Sequence, residues 1–172
     1  SLHDALPICR VIVFYNPGEP VTAEAAKLAQ EEAVRLGLRL VERRIISIEE
    51  LRKVLESLKP GEAHAYLYLP DAIVIGQAQQ IIDAAKSKKL PTMFHDQSLV
   101  TRGALASYGQ NYHEIGRLSA KYVQRVLSGV QPRDLKVETI DDVELVINLQ
   151  TAKALGLTIP PNVLARAKKV IK

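Results

Sequence analysis

The chain has few of the residues that mark metal-binding, disulfide-rich or membrane-spanning proteins. Its 172 residues include one cysteine, Cys9, four histidines and no tryptophan. A single cysteine forms no disulfide within the chain and leaves the redox compartment open. The histidines show neither i,i+4 spacing nor neighbouring cysteines, so a zinc site has little support. No apolar stretch approaches the ~18 residues that a membrane span needs.

Sequence signatures of common enzymes are also absent. Ser98, Ser107 and Ser119 do not lie in a G-x-S-x-G turn, so a hydrolase nucleophile is not indicated. Neither G-x-x-x-x-G-K-[ST] nor G-x-G-x-x-G occurs, which removes the usual phosphate and dinucleotide loops. Without a nucleophile beside a base, the sequence favours binding over catalysis. We expect a protein that is not an enzyme and uses neither a cofactor nor a metal.

Composition and charge are those of an ordinary globular domain. Hydrophobic residues make up 47% and charged residues 24% of the chain, whose net charge is +4. The excess positive charge lies near the C-terminus, at Lys153, Arg166, Lys168, Lys169 and Lys172. Cations suit the C-terminal end of a helix, and no aromatic platform or Arg-rich stripe accompanies them. We therefore expect no nucleic-acid partner.

The first hundred residues alternate between strand and helix patterns. Buried-strand patterns lie at 10–15, 38–46, 63–69 and 90–94, and amphipathic helix patterns lie at 21–36, 47–58 and 74–88. Such alternation with short connections predicts a doubly wound α/β fold, with a parallel sheet flanked by helices on both faces.

The remaining residues predict a different arrangement. We expect a helical turn at 96–102, a strand at 104–109, the strongest helix at 111–128, short strands at 136–140 and 144–149, a short helix at 151–155, and a final helix from Pro160 and Pro161 to Ile171.

Polar side chains follow the predicted strands at their carboxyl ends, where open parallel sheets bind ligands. The candidate ligand-binding residues are Asn16, Asp71, His95, Asp96, Ser107 and Tyr108. Simpler roles remain open for several of them. Asn16 suits a turn before proline, Asp71 suits a helix cap, His95 suits an exposed surface, and Tyr108 suits packing.

Four segments together resemble a known family: "VIVFYNPGEP", "YLPDAIVIGQAQQI", "GALASYGQNYHEIGRLSAKYVQRVLSGVQPRDLKVE" and "ELVINLQTAKALGLTIPPNVLARAKKVI". They are similar to ABC transporter substrate-binding proteins of the tryptophan or aromatic amino-acid type, which have the type I periplasmic-binding-protein fold. The resemblance covers residues 10–172, and "VINLQTAKALGLTIPP" is its most specific part.

The resemblance implies that the chain holds only the second of two lobes and the C-terminal return. Residues 1–9 are then a scar or the remnant of a preceding lobe, and 10–109 are the ligand-binding α/β lobe. Residues 110–134 are a crossover helix expected to pack on the first lobe, and 135–172 are the return strands and helices. Without that lobe, Ile115, Tyr122 and Val126 lack cover, so self-association is expected.

The function implied by the resemblance is the capture of a small organic solute, such as an amino acid, in an interlobe cleft. The protein would deliver the solute to ABC permease subunits and work in the periplasm or otherwise outside the cytoplasm. Asn16, Asp71, Ser107 and Tyr108 match positions that would contact the solute, with Asp71 accepting from an ammonium group. The chain departs from the family pattern around His95 and Asp96. An alternative stays open, because repressors share the two-lobe fold: the effector-binding domain of a cytoplasmic transcriptional regulator.

Overall fold

A computed structural model of the chain describes residues 9–140 and 142–172. Eight of the nine residues predicted to be a scar or remnant lie outside the described part. One seven-stranded sheet organises the rest, in the order β2-β1-β3-β4-β5-β6-β7. Its strands are β1 Arg10–Tyr15, β2 Arg39–Arg44, β3 Ala65–Leu67, β4 Thr92–Phe94, β5 Ala106–Gln110, β6 Val143–Asn148 and β7 Lys169–Ile171.

Eight helices connect or follow these strands in the described part of the chain. They are α1 Pro20–Arg35, α2 Ile48–Ser57, α3 Ala72–Gly76, α4 Ala78–Ser87, α5 Gln97–Thr101, α6 Tyr112–Leu127, α7 Leu149–Leu155 and α8 Pro161–Leu164. A 3₁₀ turn lies at Pro132–Asp134. The predicted α/β sheet flanked by helices is confirmed.

The sheet is parallel except where β5 meets β6. β1 to β5 run in one direction, β6 pairs with β5 in the antiparallel direction, and β7 pairs with β6 in parallel. In this register Tyr108 of β5 lies opposite Leu145 of β6. The start of β6 therefore lies at the same sheet edge as the carboxyl ends of the parallel strands.

Each face of the sheet buries its own hydrophobic cluster, because successive strand side chains point to opposite faces. The larger cluster joins Ile12, Phe14, Tyr66 and Phe94 to the inward stripes of α2 and α4. Tyr66 lies between the two phenylalanines, with ring centroids 5.0 and 5.4 Å away. The smaller cluster, which includes Val13, Tyr15 and Leu69, packs against Ala26 of α1.

The helix predicted at 74–88 is divided into two. Asp71 caps α3 before Ala72, and Gln77 then leaves the helical conformation, with φ −111° and ψ 18°. The backbone N–H of Gln77 donates to Val74 O, which tightens the last turn of α3, and α4 starts afresh at Ala78. The apolar spacing continues through this break, which is why periodicity alone predicts one helix.

Two predictions for the C-terminal region are wrong. The final helix ends at Leu164 instead of Ile171, because Lys169–Ile171 add to the open edge of β6 as β7. The N–H of Lys168 donates to Leu145 O and begins this pairing. The strand predicted at 136–140 does not form: these residues have no regular structure, and all but Ile140 are exposed. The strand predicted at 144–149 corresponds to β6.

Helix α6 does not pack on the sheet in the way that α1, α2 and α4 do. Asn111 caps its N-terminus by accepting hydrogen bonds from the N–H groups of His113 and Glu114. Nevertheless, none of its 16 residues is buried, and Leu127 is 82% exposed. The Tyr122 hydroxyl donates to Lys136 O and holds the segment after α6 beside it. The predicted packing of 110–134 on another lobe stays a prediction.

Candidate functional site

A cavity of about 790 Å³ opens at the sheet edge where the parallel strands end. Two of the predicted site residues, His95 and Tyr108, line it, together with Tyr68. The remaining lining residues are apolar except for one arginine: Leu67, Met93, Phe94, Val143, Leu145, Val163 and Arg166. This volume lies in the range of small-molecule sites, and the mixture of aromatic surface with few polar groups is typical of them.

Asn16 and Asp71 meet beside this edge, as the strand ends predict. The N–H of Asn16 donates to Asp71 Oδ2 at 2.7 Å, and the N–H of Val74 donates to Asp71 Oδ1 at 2.9 Å. Asp71 is only 4% exposed. Its carboxylate thus caps α3 and ties the end of β1 to the end of β3. Asn16 Oδ1 accepts from the N–H of Gly18, the turn role that its sequence context suggests.

Tyr68 connects this pair to an aromatic group. The N–H of Asp71 donates to the Tyr68 hydroxyl oxygen at 3.1 Å. The Tyr68 ring stacks on His95, with centroids 4.5 Å apart and planes inclined by 22°. Tyr112, the first residue of α6, meets the His95 ring edge-on at 5.8 Å and 84°. The resulting chain of contacts runs from Asn16 through Asp71 and Tyr68 to His95 and Tyr112.

The pKa values of the two inner rings in this series of contacts, Tyr68 and His95, differ from their ordinary values. Burial lowers the pKa of His95, while the nearby charge of Asp96 acts in the opposite direction. Burial also raises the pKa of Tyr68. Both effects favour neutral rings at pH 7, because a partly apolar environment disfavours the charged form.

Asp96 and Ser107 are placed differently from the other predicted residues. Asp96 Oδ1 accepts from the N–H of Ser98 and caps α5. Ser107 is 1% exposed in the interior of β5. Neither lines the cavity.

Gly109 packs so closely against the backbone of His95 that a β-carbon there would lie 1.9 Å from His95 O. A glycine is therefore required for β5 to approach His95, the residue that follows β4.

Three residues of this region were not predicted from the sequence: Tyr68, Tyr112 and Arg166. Arg166 is exposed at the cavity, and its guanidinium forms no hydrogen bond or ion pair within the described ranges. Its position depends on β7, which the sequence suggested was helix. Tyr68 precedes the Pro70-Asp71 strand end and was detectable from the same signal that identified Asp71.

Metal-ligand clusters and membrane-spanning helices are both absent from the described residues. Within 9–140 and 142–172, no group of three or more His, Cys, Asp or Glu side chains is arranged to hold a metal ion. Among the helices of the same ranges, none combines the length and apolar character needed to cross a bilayer.

Comparison with known proteins identifies one family across almost the whole chain. A family model described as ABC transporter substrate binding protein matches residues 2–171. A tyrosine-binding protein of Clostridioides difficile is 28% identical over 149 residues, which cover 86% of this chain and 43% of the relative.

Solved structures give the same architecture. A conserved domain protein from Vibrio cholerae superposes with a TM-score of 0.80 at 33% identity, covering 95% of this chain and 55% of that one. An ABC domain from Streptococcus pneumoniae, solved in complex with L-Trp, has the same TM-score and coverage at 24% identity, which bears on the fold alone. The chain thus spans about half the length of the relatives that it matches.

Proposed function

The chain belongs to the ABC transporter substrate-binding protein family, and on this premise we propose that its sheet-edge cavity is one half of a cleft for an aromatic amino acid. The solute would be held between this lobe and a second one, without chemical change. The single observation that carries the proposal is the cavity of about 790 Å³ bounded by Tyr68, His95 and Tyr108.

The lining of the cavity supports an aromatic solute. Rings of the solute and of the protein attract one another when stacked or edge-on at centroid distances of roughly 4.5–7 Å. His95 already makes one contact of each kind, at 4.5 and 5.8 Å. The C. difficile relative that carries the name tyrosine-binding protein supports the same class.

Arg166 supports a solute that carries a carboxylate. It is the one charged residue among those that line the cavity, and its guanidinium has no partner within the residues that the structure describes. Arginine binds carboxylates through two parallel hydrogen bonds. We therefore assign the carboxylate of the amino acid to Arg166.

Asp71 is the proposed partner for the ammonium group of the solute. Each of its oxygens accepts one backbone N–H, and an ionised carboxylate has about four acceptor sites. Asn16, Asp96 and Ser107 are proposed to shape this edge around the solute. His95 and Tyr108 are the proposed direct contacts.

In this proposal, capture of the solute leads to its transport through closure of the two lobes. A solute that bridges two lobes stabilises their closed arrangement, because some contacts form only on closure. The closed form would present the solute to ABC permease subunits, outside the cytoplasm. The apolar face of α6, which includes the half-buried Ile115 and Tyr122 and the exposed Val126, would contact the other lobe. In the isolated chain the same face favours self-association.

Titration of the 172-residue chain with L-tyrosine and L-tryptophan, followed by amide chemical shifts, tests the proposal. We expect shifts at Tyr68, His95 and Tyr108, with weak affinity. If two lobes together bind at 1 µM, half of that binding free energy corresponds to about 1 mM. Submicromolar binding by this chain would contradict the half-cleft, and an absence of shifts around the cavity would contradict the solute class.

A pair of variants locates the binding. Tyr108→Ala removes a cavity ring that is 56% exposed, whereas Val123→Ala changes a residue on α6 that is 58% exposed. We expect the first to weaken binding about tenfold, since stacked aromatic pairs contribute about 1 kcal/mol beyond their buried area. The second should leave binding unchanged. Equal effects would show that the solute does not occupy the cavity.

A further inference from the structure

His95 is held in one orientation by rings on two sides. Tyr68 covers one face, and Tyr112 meets the ring edge-on. The backbone of His95, just after β4, lies close against Gly109 of β5. A side chain with so little freedom presents its two nitrogens in defined directions, which is the condition for selective hydrogen bonding to a solute.

The two nitrogens of the ring have different surroundings. Nδ1 is buried and has no hydrogen-bond partner within the described residues. Nε2 is not among the buried unpaired atoms and forms no hydrogen bond in the same ranges. Orphaned buried N–H groups are rarer than under-satisfied acceptors. The favoured neutral tautomer therefore carries its proton on Nε2, the ring nitrogen that is not buried, and His95 itself lines the cavity.

The groups around the ring favour this neutral form. Tyr68 and Tyr112 present uncharged hydroxyl-bearing rings, and Tyr108 and the cationic Arg166 line the same cavity. The Asp96 carboxylate favours a charged imidazole, but it already accepts from the N–H of Ser98. A second proton would lie on Nδ1, where it has no acceptor. Burial accordingly lowers the pKa of His95.

We infer that His95 is a specificity-determining residue that donates Nε2–H to an acceptor atom on the ring of the solute. This inference rests on the proposed function, in which Arg166 takes the carboxylate. The phenol oxygen of tyrosine accepts such a hydrogen bond. Phenylalanine has no acceptor on its ring, and the indole nitrogen of tryptophan is only a donor. The site thus selects L-tyrosine over both.

The tautomer is tested first, on the chain without solute. Long-range ¹H–¹⁵N correlation spectra distinguish protonated from unprotonated imidazole nitrogens, with the exposed His113 of α6 as the internal reference. We expect the His95 proton on Nε2 and a titration midpoint below the ordinary value of a histidine. A proton on Nδ1, or a midpoint above that ordinary value, would overturn the inference and leave the proposed cleft untouched.

Selectivity is tested with three variants and three solutes. Affinities for L-tyrosine, L-phenylalanine and L-tryptophan are measured by amide-shift titration. We expect a preference for tyrosine over phenylalanine of about tenfold, the effect of one hydrogen bond. His95→Phe keeps an aromatic ring and removes the donor, so the preference should fall below about twofold. His95→Gln restores a donor and should recover part of it, and His113→Phe should change nothing.

The outcomes separate this inference from the proposed function. If all three solutes bind at the cavity and His95→Phe leaves the preference unchanged, the role of His95 is wrong and the cleft stands. If tryptophan binds as tightly as tyrosine to the unaltered chain, the donor assignment is wrong. If none of the three solutes shifts the cavity residues, the proposed function itself fails.

Discussion

Helices α2 and α6 have the same kind of sequence and opposite environments. Ser47 caps α2 and Asn111 caps α6, and each helix carries an apolar stripe at helical spacing. Leu51 and Leu55 of α2 are buried in the main core, whereas α6 has no buried residue. An amphipathic pattern therefore shows that a helix has an apolar face, but it does not show which segment covers that face.

The strand directions explain the difference. A connection between two parallel strands must return along the sheet, so its helix packs on a face, as α2 does between β2 and β3. α6 follows β5 and precedes β6, which are antiparallel to each other. Such strands need no crossover, and α6 is free to extend from the sheet edge instead of covering a face.

Removing one leucine from each helix should give the largest contrast. Leu51→Ala empties a site that is 0% exposed, and we expect a loss of about 3 kcal/mol in the free energy of unfolding. Leu127→Ala on α6 changes a side chain that is 82% exposed and should cost less than about 0.5 kcal/mol. Urea unfolding at two protein concentrations measures both. A concentration-dependent cost for Leu127→Ala would show that α6 has found a partner in a second copy.

Two glycines offer the next contrast, Gly109 in β5 of the packed sheet and Gly116 in the exposed helix α6. Gly109→Ala would bring a β-carbon to 1.9 Å from His95 O, so β4 and β5 must separate. Overpacking of this kind costs about 1–3 kcal/mol, and we expect the upper end because the obstacle is backbone. Gly116→Ala on α6 meets nothing within 4 Å and should stabilise the helix by up to about 1 kcal/mol.

Thermal unfolding of both glycine variants measures these opposite signs. A tolerated Gly109→Ala would mean that β5 does not approach β4 so closely. In a protein that also contains the proposed second lobe, a destabilising Gly116→Ala would reveal a neighbour close to α6. The same substitution then distinguishes an exposed helix from a covered one.

Removal of the Asp71 carboxylate should have an intermediate effect. Asp71→Ala leaves the N–H groups of Asn16 and Val74 without their acceptor at a position that is 4% exposed. We expect a loss of about 2 kcal/mol in unfolding free energy. Asp96→Ala, which removes a cap with a single backbone bond, is the matched control and should cost about 1 kcal/mol. Equal costs would imply that the bond to Asn16 contributes nothing.

Most of the fold was predictable because parallel strands and their helices are specified by local patterns. The alternation of buried strands with amphipathic helices up to Phe94 needed only periodicity and caps such as Ser47 and Asp71. The errors lie where pairing decides. Lys169–Ile171 is a strand only because β6 offers an open edge, and no local pattern records that edge.

The location of the cavity was predictable from the sequence, and its lining residues were less so. Strand ends identified His95 and Tyr108, which line the cavity, and the Asn16–Asp71 pair beside it. Asp96 and Ser107 satisfy the same rule but are used as a cap and as part of the interior of β5. Arg166 lies at this edge because the chain folds back through β6 and β7. Tyr112 lies there because α6 begins just after β5. Both depend on tertiary structure, not on a strand-end motif.

The smallest expected effect concerns a hydroxyl buried under the helices of the well-covered face. Tyr66 is 1% exposed, and its hydroxyl has no hydrogen-bond partner within the described residues. Burial raises its pKa well above the usual value, so the group stays neutral. Tyr66→Phe removes an unsatisfied polar atom and keeps the ring between Phe14 and Phe94, so we expect unfolding free energy to rise by up to about 1 kcal/mol. Tyr68→Phe, which loses the bond from the N–H of Asp71, should lower it by about 1 kcal/mol. A loss in Tyr66→Phe as large as that in Tyr68→Phe would mean that the covered face hides a partner for this hydroxyl, such as an ordered water, and is less dry than its packing implies.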